Sequence, residues 1–431
     1  MRIKNKIAFL VYYHKQNFYS FNAIIGAIET CEDLNELDIY FERENRNLIQ
    51  ELERIIPNYE IIIVGISFFT TQLFEIRDLI SLLRRKFKYK CFFIAGGPHP
   101  TGDPLGTLKM GFDVSVVGEG EEIILDLIKT IDLNGDLRNV KGIAYLNESH
   151  EYIYTGKRNP IDLNNYPPFP TKNRRFGAIE ITRGCPYVCY FCQIPFIFGA
   201  TPRHRTVDVI CKYVKEIKNY YGDLTDIRFI TPNAFSFGSK DGFKLELQKV
   251  EELLSRTRLI IGEKGRIYFG TFPSEVRPEH VTQETLNLIL KYANNDNITI
   301  GAQSGSQKIL DMCHRGHTVG DVYKAVELTL TLKLKINVDF IFGLPEETEN
   351  DVLSTIEMMK DLAKIGARIH AHFFIPLPQT PFARVHLSRM NQMAKKEVNN
   401  LISKGLAFGD WKKQEILALK VSQYFKNSEK I

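Results

Sequence analysis

The sequence has no apolar run approaching the ~20 residues a membrane-spanning helix needs; its longest, IIIVGISFF at 61–69, is far shorter. A secretory leader is not expected either. MRIKNK is followed by a short apolar stretch, IAFLVYY, with no small-residue cleavage site before HKQN, and this stretch reads as a first strand. Charge of one sign is scarce: 56 basic against 51 acidic residues leave +5, too little for nucleic-acid binding without a local basic stripe. The best stripe, Arg203, His204 and Arg205, reads as a solvated loop. Tryptophan occurs once, at Trp411, and cysteine seven times, an odd count that no fully paired disulfide framework allows. With 44% hydrophobic and 25% charged residues the chain is globular. A soluble, cytoplasmic protein is expected, with neither a membrane nor a nucleic acid as partner.

The length suggests more than one core. Up to residue 140, apolar β-rich runs at 7–13, 37–41, 61–68, 91–95 and 114–117 alternate with helical periodicity at 48–56, 73–87 and 121–131. Uninterrupted apolar strands separated by helices imply a parallel sheet covered on both faces. The expectation for 1–140 is therefore an α/β, doubly wound (Rossmann-like) domain whose ligand lies beyond the carboxyl ends of its strands. Residues 141–172 break the rhythm with a hairpin-like stretch and the turn-rich NPIDLNNYPPFPTKN, and read as a linker. From 173 the alternation resumes, with strands at 178–182, 227–230, 267–270, 298–302, 336–342 and 369–374. Helices are expected at 207–220, 243–256, 283–292, 319–332 and 351–365. Thr206 is a candidate N-cap for the first of them. Six βα units are two short of a closed barrel, so 173–385 is expected to form a partial (βα)6 TIM-type barrel. Residues 386–431 are expected to form a small helical C-terminal extension.

Three of the cysteines share one window, ITRGCPYVCYFCQ at 181–193, as C-x3-C-x2-C. Cys185 follows the first strand of the second half, the end at which barrel sites form. Thiolate-only ligation selects iron–sulfur or zinc, and either usually takes four ligands. His204 is a possible fourth ligand for a zinc site. Cys31, Cys91, Cys211 and Cys313 sit singly in apolar or helical surroundings and read as small buried hydrophobes.

This cysteine spacing, with Phe191 before the last thiol, resembles the radical S-adenosylmethionine (radical SAM) superfamily. GAQSGSQKILDMCHRGHT (301–318), VDFIFGLPEET (338–348) and HFFIPLPQTPF (372–382) are similar to the fourth-, fifth- and sixth-strand segments of those enzymes. The resemblance spans 176 to about 382. It implies that Cys185, Cys189 and Cys192 hold a [4Fe-4S] cluster whose fourth iron is chelated by S-adenosylmethionine. Reductive cleavage would then give a 5′-deoxyadenosyl radical. It also implies that the Phe191 backbone contacts adenine and that Gln303 or Ser304 faces the ribose or methionine moiety. FITPNAFSFG at 229–238 departs from the usual acidic amine-binding segment and leaves Asn233 as a substitute. Ser274 and Glu275 are further candidates.

The strand-end loops of the first half resemble the cobalamin-binding domain found in one branch of that superfamily. GISFFTTQ (65–72) carries Ser67 and Thr70, AGGPHPT (95–101) carries Gly96, Gly97 and His99, and VVGEGEE (116–122) carries Gly118 and Glu119. A dinucleotide is disfavoured because no G-x-G-x-x-G opens the first helix. His14 keeps the histidine of a D-x-H-x-x-G cobalt-ligand loop, but Tyr12 and Asn17 replace its Asp and Gly. Loss of the Asp removes the usual orienter of a metal-bound imidazole, so His14 reads as a loop histidine.

The resemblance implies an enzyme with a [4Fe-4S] cluster, S-adenosylmethionine and cobalamin as cofactors. It is expected to methylate an unactivated carbon (or phosphorus) centre of a small-molecule or cofactor-precursor substrate. An external electron donor of the ferredoxin or flavodoxin type is expected. A cobalamin-dependent cyclisation or rearrangement without methyl transfer, and a non-catalytic cobalamin or redox sensor, are the alternatives. Methylthio transfer needs three further cysteines in the first half, where only Cys31 and Cys91 occur.

Overall fold

Strands that are apolar on both faces must be covered on both sides, and the first half of the chain is built that way. The structure, a computed structural model, describes residues 6–87 and 90–428. It divides into two units, 1–177 and 178–431. In the first, β1 (Ile7–Tyr12), β2 (Asp38–Glu42), β3 (Ile61–Ser67), β4 (Cys91–Gly96) and β5 (Val114–Val116) are parallel. β6 (Ile143–Leu146) and β7 (Tyr152–Tyr154) continue the sheet antiparallel, giving the order β2-β1-β3-β4-β5-β6-β7. Strand order reverses between β1 and β3, and the crevice beyond their carboxyl ends is where a doubly wound sheet binds its ligand. All of β1, and all of β3 after Ile61, is buried.

Two features differ from the reading of the sequence. The helix Phe18–Thr30 went unread because Asn22 and Gly26 occupy buried positions on it and blur the apolar stripe. The stretch read as a linker runs instead into the first sheet. Ile143, Ala144 and Tyr145 are buried and pair with the edge that β5 would otherwise leave open. Beyond the hairpin, the backbone N–H groups of Lys172 and Asn173 donate to the Glu29 carboxylate at 2.9 and 2.8 Å, tying the proline-rich segment to this unit.

In the second unit the first expected strand is split. β8 (Ile179–Glu180) pairs with β11 (Asp226–Ile230), whereas β9 (Thr182–Arg183) turns away to pair antiparallel with β10 (Arg203–His204). β12 (Arg266–Tyr268) lies on the other side of β11. β13 (Asn297–Gln303), β14 (Lys335–Phe342) and β15 (Arg368–Phe373) form a second parallel group. A bridge between Val276 and Ile300 joins the two groups, so six strands run in sequence order as a partial barrel. The helix expected from 243 begins later, at Leu247–Ile261, because Asp241 accepts from the N–H groups of Phe243 and Lys244 and holds them in a turn.

The C-terminal residues are helical at Gln392–Ser403 and Trp411–Ser428, but they also supply β16 (Ala407–Phe408), a seventh parallel strand beside β15. No helix among the described residues is long and apolar enough to cross a membrane. Trp411 is 1% exposed and packs at the start of the helix that covers β15. Truncating a fully buried tryptophan removes its transfer energy and leaves a cavity, so Trp411→Ala should destabilise the second unit by about 3–5 kcal/mol. Urea denaturation followed by circular dichroism checks this; a loss below about 1 kcal/mol would contradict the packing described.

Candidate functional site

The three thiols lie in a loop, so their placement depends on what clamps that loop. Gly184 has φ +90°, and a Cβ there would stand 2.4 Å from the carbonyl oxygen of Thr201, so only glycine lets the chain turn into Cys185. Val188, a β-branched residue, is held at φ +48° between the first two thiols, a strained conformation that needs support from its surroundings. The segment 313–315 gives that support. Tyr190 N–H donates to the Cys313 carbonyl at 3.0 Å, His314 stacks on the Tyr190 ring, and His314 Nδ1 donates to the Tyr187 carbonyl at 3.0 Å. Arg315 reaches Cys189 Sγ at 3.6 Å and the Gly301 carbonyl at 2.9 Å. Arg277 stacks on Tyr187 and donates to the Arg315 carbonyl.

Burial raises the pKa of the Cys185 thiol and pushes that of Cys192 up to about 12. Metal binding here therefore has to displace protons. Among the described residues these three sulfurs are not gathered within 4.8 Å of one another. A single tetrahedral ion would draw thiolates to about 3.8 Å apart, whereas a cluster places its irons between them. His204 is not available as a fourth ligand. Its Nδ1 meets Thr182 Oγ1 at 2.9 Å and its Nε2 donates to the Ser239 carbonyl at 2.8 Å, so both ring nitrogens are engaged. The donor set suits a three-thiolate cluster with one iron left to another ligand.

The remaining barrel residues singled out in the sequence fall into two groups. Phe191 is half-buried within the cluster loop. Gln303, at the end of β13, has φ +69°, and its amide folds over Gly301 beside the Arg315 guanidinium, where a Cβ on residue 301 would collide with it. Phe191 adjoins Cys192 in the chain, and Gln303 relates to the thiols through Arg315. The others are engaged within the protein. Asn233 Nδ2 meets His280 Nδ1 at 2.7 Å, while its Oδ1 accepts from the Arg277 N–H at 3.3 Å. Ser274 Oγ donates to the Thr271 carbonyl at 3.0 Å, and Ser304 Oγ pairs with Thr355 Oγ1 at 3.2 Å. All three side chains are buried; Ser274 closes a turn, whereas Asn233 and Ser304 tie their strand ends to distant segments. Glu275 is accessible to solvent yet surrounded by protein, as a side chain projecting into a hollow is; that crowding, with the charge of Asp339, raises its pKa to about 7.

Arg315 was missed in the sequence. Its signal was the CHRGH run, where a basic residue follows a buried cysteine and precedes the buried His317.

In the first unit, Ser67 is buried at the end of β3 and Asn17 in the loop that follows β1, and among the described residues Ser67 Oγ, Asn17 Oδ1 and Asn17 Nδ2 have no hydrogen-bond partner. Such groups are costly unless a ligand or water satisfies them. Gly96 and Gly118 have open space where a side chain would stand, with nothing nearer than 4.0 Å at Gly96 and nothing within 4 Å at Gly118. Gly97 lies directly against Ser67, whose Oγ would be 2.6 Å from a Cβ. These residues form a cradle with unsatisfied polar groups, which fits a large ligand at the switch point. Thr70 and His99 are turned inward: Thr70 Oγ1 meets His99 Nδ1 at 3.0 Å, His99 is fully buried and stacks on Phe68, and burial lowers its pKa to about 4. The Glu119 carboxylate accepts from the Ile161 N–H at 3.1 Å. His14 stacks on Tyr12 and lies 3.5 Å from Gln72 Nε2, on the same side of the sheet.

Comparison with known proteins agrees with this division. The family model of the radical SAM superfamily matches residues 179–359, and that of the B12 binding domain matches residues 31–128. An uncharacterized methyltransferase of Pyrococcus horikoshii is 24% identical over 324 residues, 72% of this chain and 67% of that protein. A putative methylthiotransferase of Methanocaldococcus jannaschii is 26% identical over 372 residues, 84% of this chain and 76% of that protein. Among solved structures, the radical SAM methyltransferase TsrM of Kitasatospora setae, with cobalamin and [4Fe-4S] cluster bound, aligns at TM-score 0.66 and 15% identity, over 88% of this chain and 77% of its own. The cobalamin-dependent radical enzyme OxsB aligns at TM-score 0.64 and 18% identity, over 94% of this chain and 58% of its own. At these identities the structural likeness is one of fold.

One titratable group beyond β14 makes stability depend on pH. Glu347 accepts from the Gly343 N–H at 2.8 Å, and burial raises its pKa from 4.5 to about 7. The folded chain then holds a proton that the unfolded chain releases between pH ~4.5 and ~7, so this group's contribution falls as pH rises through that window. Glu347→Gln should remove the dependence and gain about 1–3 kcal/mol at pH 8 relative to the native chain. Unfolding free energies at pH 5 and pH 8 test this; equal pH slopes in both proteins would contradict it.

Proposed function

We propose that this chain, which belongs to the radical SAM enzymes that carry a B12 binding domain, transfers a methyl group to an unactivated carbon (or phosphorus) centre of a small molecule. The carrying observation is the pairing of two unsatisfied sites in one chain. One is a clamped three-thiol loop whose candidate fourth ligand, His204, has both ring nitrogens hydrogen-bonded elsewhere. The other is a strand-end cradle with Ser67 and Asn17 unpartnered inside it. When bound, the cluster, S-adenosylmethionine and cobalamin supply reductive sulfonium cleavage, hydrogen abstraction and a transferable methyl group.

Each residue's part follows from its surroundings. Cys185, Cys189 and Cys192 hold the cluster. Arg315, donating toward Cys189 Sγ, stabilises negative charge on the sulfur side, and with Gln303 forms a polar wall for the ligand of the fourth iron. Phe191 offers backbone groups to the adenine. Ser67, Gly96, Gly97 and Gly118 take the cobalamin, with Ser67 supplying a hydroxyl and the glycines the clearance. Asn233, Ser274, Ser304, Thr70, His99 and Glu119 shape these walls from behind, since their side chains are engaged elsewhere in the fold. Electrons come from an external low-potential donor of the ferredoxin or flavodoxin type.

Methylthio transfer, suggested by one relative's name, finds no support in the first unit. Its cysteines are Cys91, buried in β4, and Cys31, at the end of the helix Phe18–Thr30. The test is anaerobic reconstitution with iron, sulfide and cobalamin, followed by reaction with methyl-labelled S-adenosylmethionine, a low-potential reductant and a metabolite extract. Label should appear in a new small molecule together with 5′-deoxyadenosine. 5′-Deoxyadenosine without label in any product or in methylcobalamin would replace methyl transfer by cyclisation or rearrangement. No cleavage at all would favour a sensor.

A further inference from the structure

Strand pleating gives the barrel strands two chemically different faces. On β14, Ile336, Val338, Phe340 and Phe342 are buried on one face, and Asn337, Asp339 and Ile341 alternate with them on the other. On β15, Ile369, Ala371 and Phe373 are buried and His370 and His372 alternate with them. Asp339 and His370 are direct register partners, so three metal-binding side chains meet on the inner face of two adjacent strands. None belongs to the thiol loop, and the methyl-transfer reading uses none of them.

Hydrogen bonding alone serves their geometry poorly. His370 Nδ1 is 3.0 Å from Asp339 Oδ1 and 3.1 Å from His372 Nε2. A ring nitrogen carries either one hydrogen or one lone pair in its plane. If Nδ1 donates to the carboxylate, it has no second hydrogen for His372. If it accepts from His372 Nε2–H, it turns a lone pair toward the carboxylate. Both contacts can be hydrogen bonds at once only if a single Nδ1–H is shared in a weaker three-centre arrangement.

A metal ion removes that competition. Around one ion with bonds of about 2.0–2.2 Å, neighbouring donor atoms stand about 2.8–3.1 Å apart at octahedral angles and about 3.3–3.6 Å at tetrahedral ones, and both short separations match the octahedral spacing. The three donor atoms all lie within 4.8 Å of one another. The walls that fix them are rigid. The His370 ring stacks on Phe408 of β16 with centroids 4.2 Å apart and planes 8° from parallel. Gln414 Oε1 accepts from the Phe373 N–H at 2.8 Å, which turns its Nε2 donor to within 3.4 Å of His372 Nδ1; a metal on His372 Nε2 leaves the ring hydrogen on Nδ1, facing that donor, where a carboxylate would accept it. The C-terminal strand and helix thus act as the outer support of the cluster, a role not evident from their sequence.

We propose that Asp339, His370 and His372 form a divalent transition-metal site inside the barrel, separate from the cluster cysteines. Two imidazoles and one carboxylate suit zinc or ferrous iron and leave positions open. Those positions face the inner surface of the barrel, where Asn337 and Thr299 stand on neighbouring strands. They take water, or an anionic oxygen or nitrogen of the substrate, so the site selects substrates with such a donor. The proposal does not depend on methyl transfer, because its test reads metal and not turnover.

Zinc serves as the probe. The full chain, reconstituted anaerobically with cluster and cobalamin, is equilibrated with zinc, freed of excess by gel filtration, and assayed for zinc and iron by mass spectrometry. The native protein should retain about one zinc beside about four irons. Asp339→Asn and His372→Ala should each weaken zinc binding at least tenfold with iron unchanged, Trp411 emission reporting the fold. Gln414→Glu, which puts a carboxylate behind the His372 ring, should tighten binding about tenfold; this gain-of-affinity variant decides the matter should the losses coincide with misfolding. The site is overturned by native protein that retains no zinc beyond the Asp339→Asn level, by zinc gained only as iron is lost, or by affinity indifferent to Gln414→Glu.

Discussion

Everything at the second unit's site depends on how an irregular loop is made to hold three thiols still. A loop has no repeating backbone ladder, so its order must come from neighbours. Here it comes from one short run, Cys313 to Arg315, that supplies a carbonyl to Tyr190, a ring against Tyr190, a donor to the Tyr187 carbonyl and a guanidinium to Cys189. The same arginine binds the Gly301 carbonyl at the end of β13, which couples the loop to the far side of the barrel. Strain at Val188 is sustained by these contacts. These contacts hold the three-thiol loop in place, while His204, the histidine considered as a fourth ligand, has both ring nitrogens engaged elsewhere.

The first unit solves a different problem by different means. Its ligand must lie along strand ends rather than inside a clamp, so the sheet provides clearance. Gly96 and Gly118 leave space at the ends of β4 and β5, Ser67 and Asn17 leave unsatisfied polar atoms, and the strand order places Ser67, which ends β3, beside the switch point between β1 and β3. His99, buried behind this surface on Phe68 and Thr70, supports the loop and does not reach out of it.

Much of this was legible in the sequence because it rests on local chemistry. Apolar runs marked the strands of both units, and C-x3-C-x2-C marked the thiol loop. What escaped depends on long-range pairing. The hairpin 143–154 looked like a linker because its few apolar residues gain meaning only beside β5. The helix Phe18–Thr30 hid because Asn22 and Gly26 sit at its core positions. β16 is two residues long and is defined by its neighbour. Site residues divide in the same way. Asn233, Ser274 and Ser304 have the right polarity at the right strand ends, but each spends its hydrogen bonds on a turn or a helix. Arg315, Asp339 and His372 lie within the family-like segments 301–318, 338–348 and 372–382, but nothing in those segments pairs Arg315 with Cys189 or Asp339 with His370 and His372; only the fold brings them to these partners.

With three thiols holding the cluster, its fourth iron would be left for S-adenosylmethionine. The most direct measurement is electron paramagnetic resonance of the reduced, reconstituted protein before and after addition of S-adenosylmethionine, with nuclear couplings recorded from cofactor labelled at the methionyl amine and carboxylate. A changed signal and couplings from both labelled groups are expected. An unchanged signal without such couplings, from a cluster containing about four irons, would contradict it.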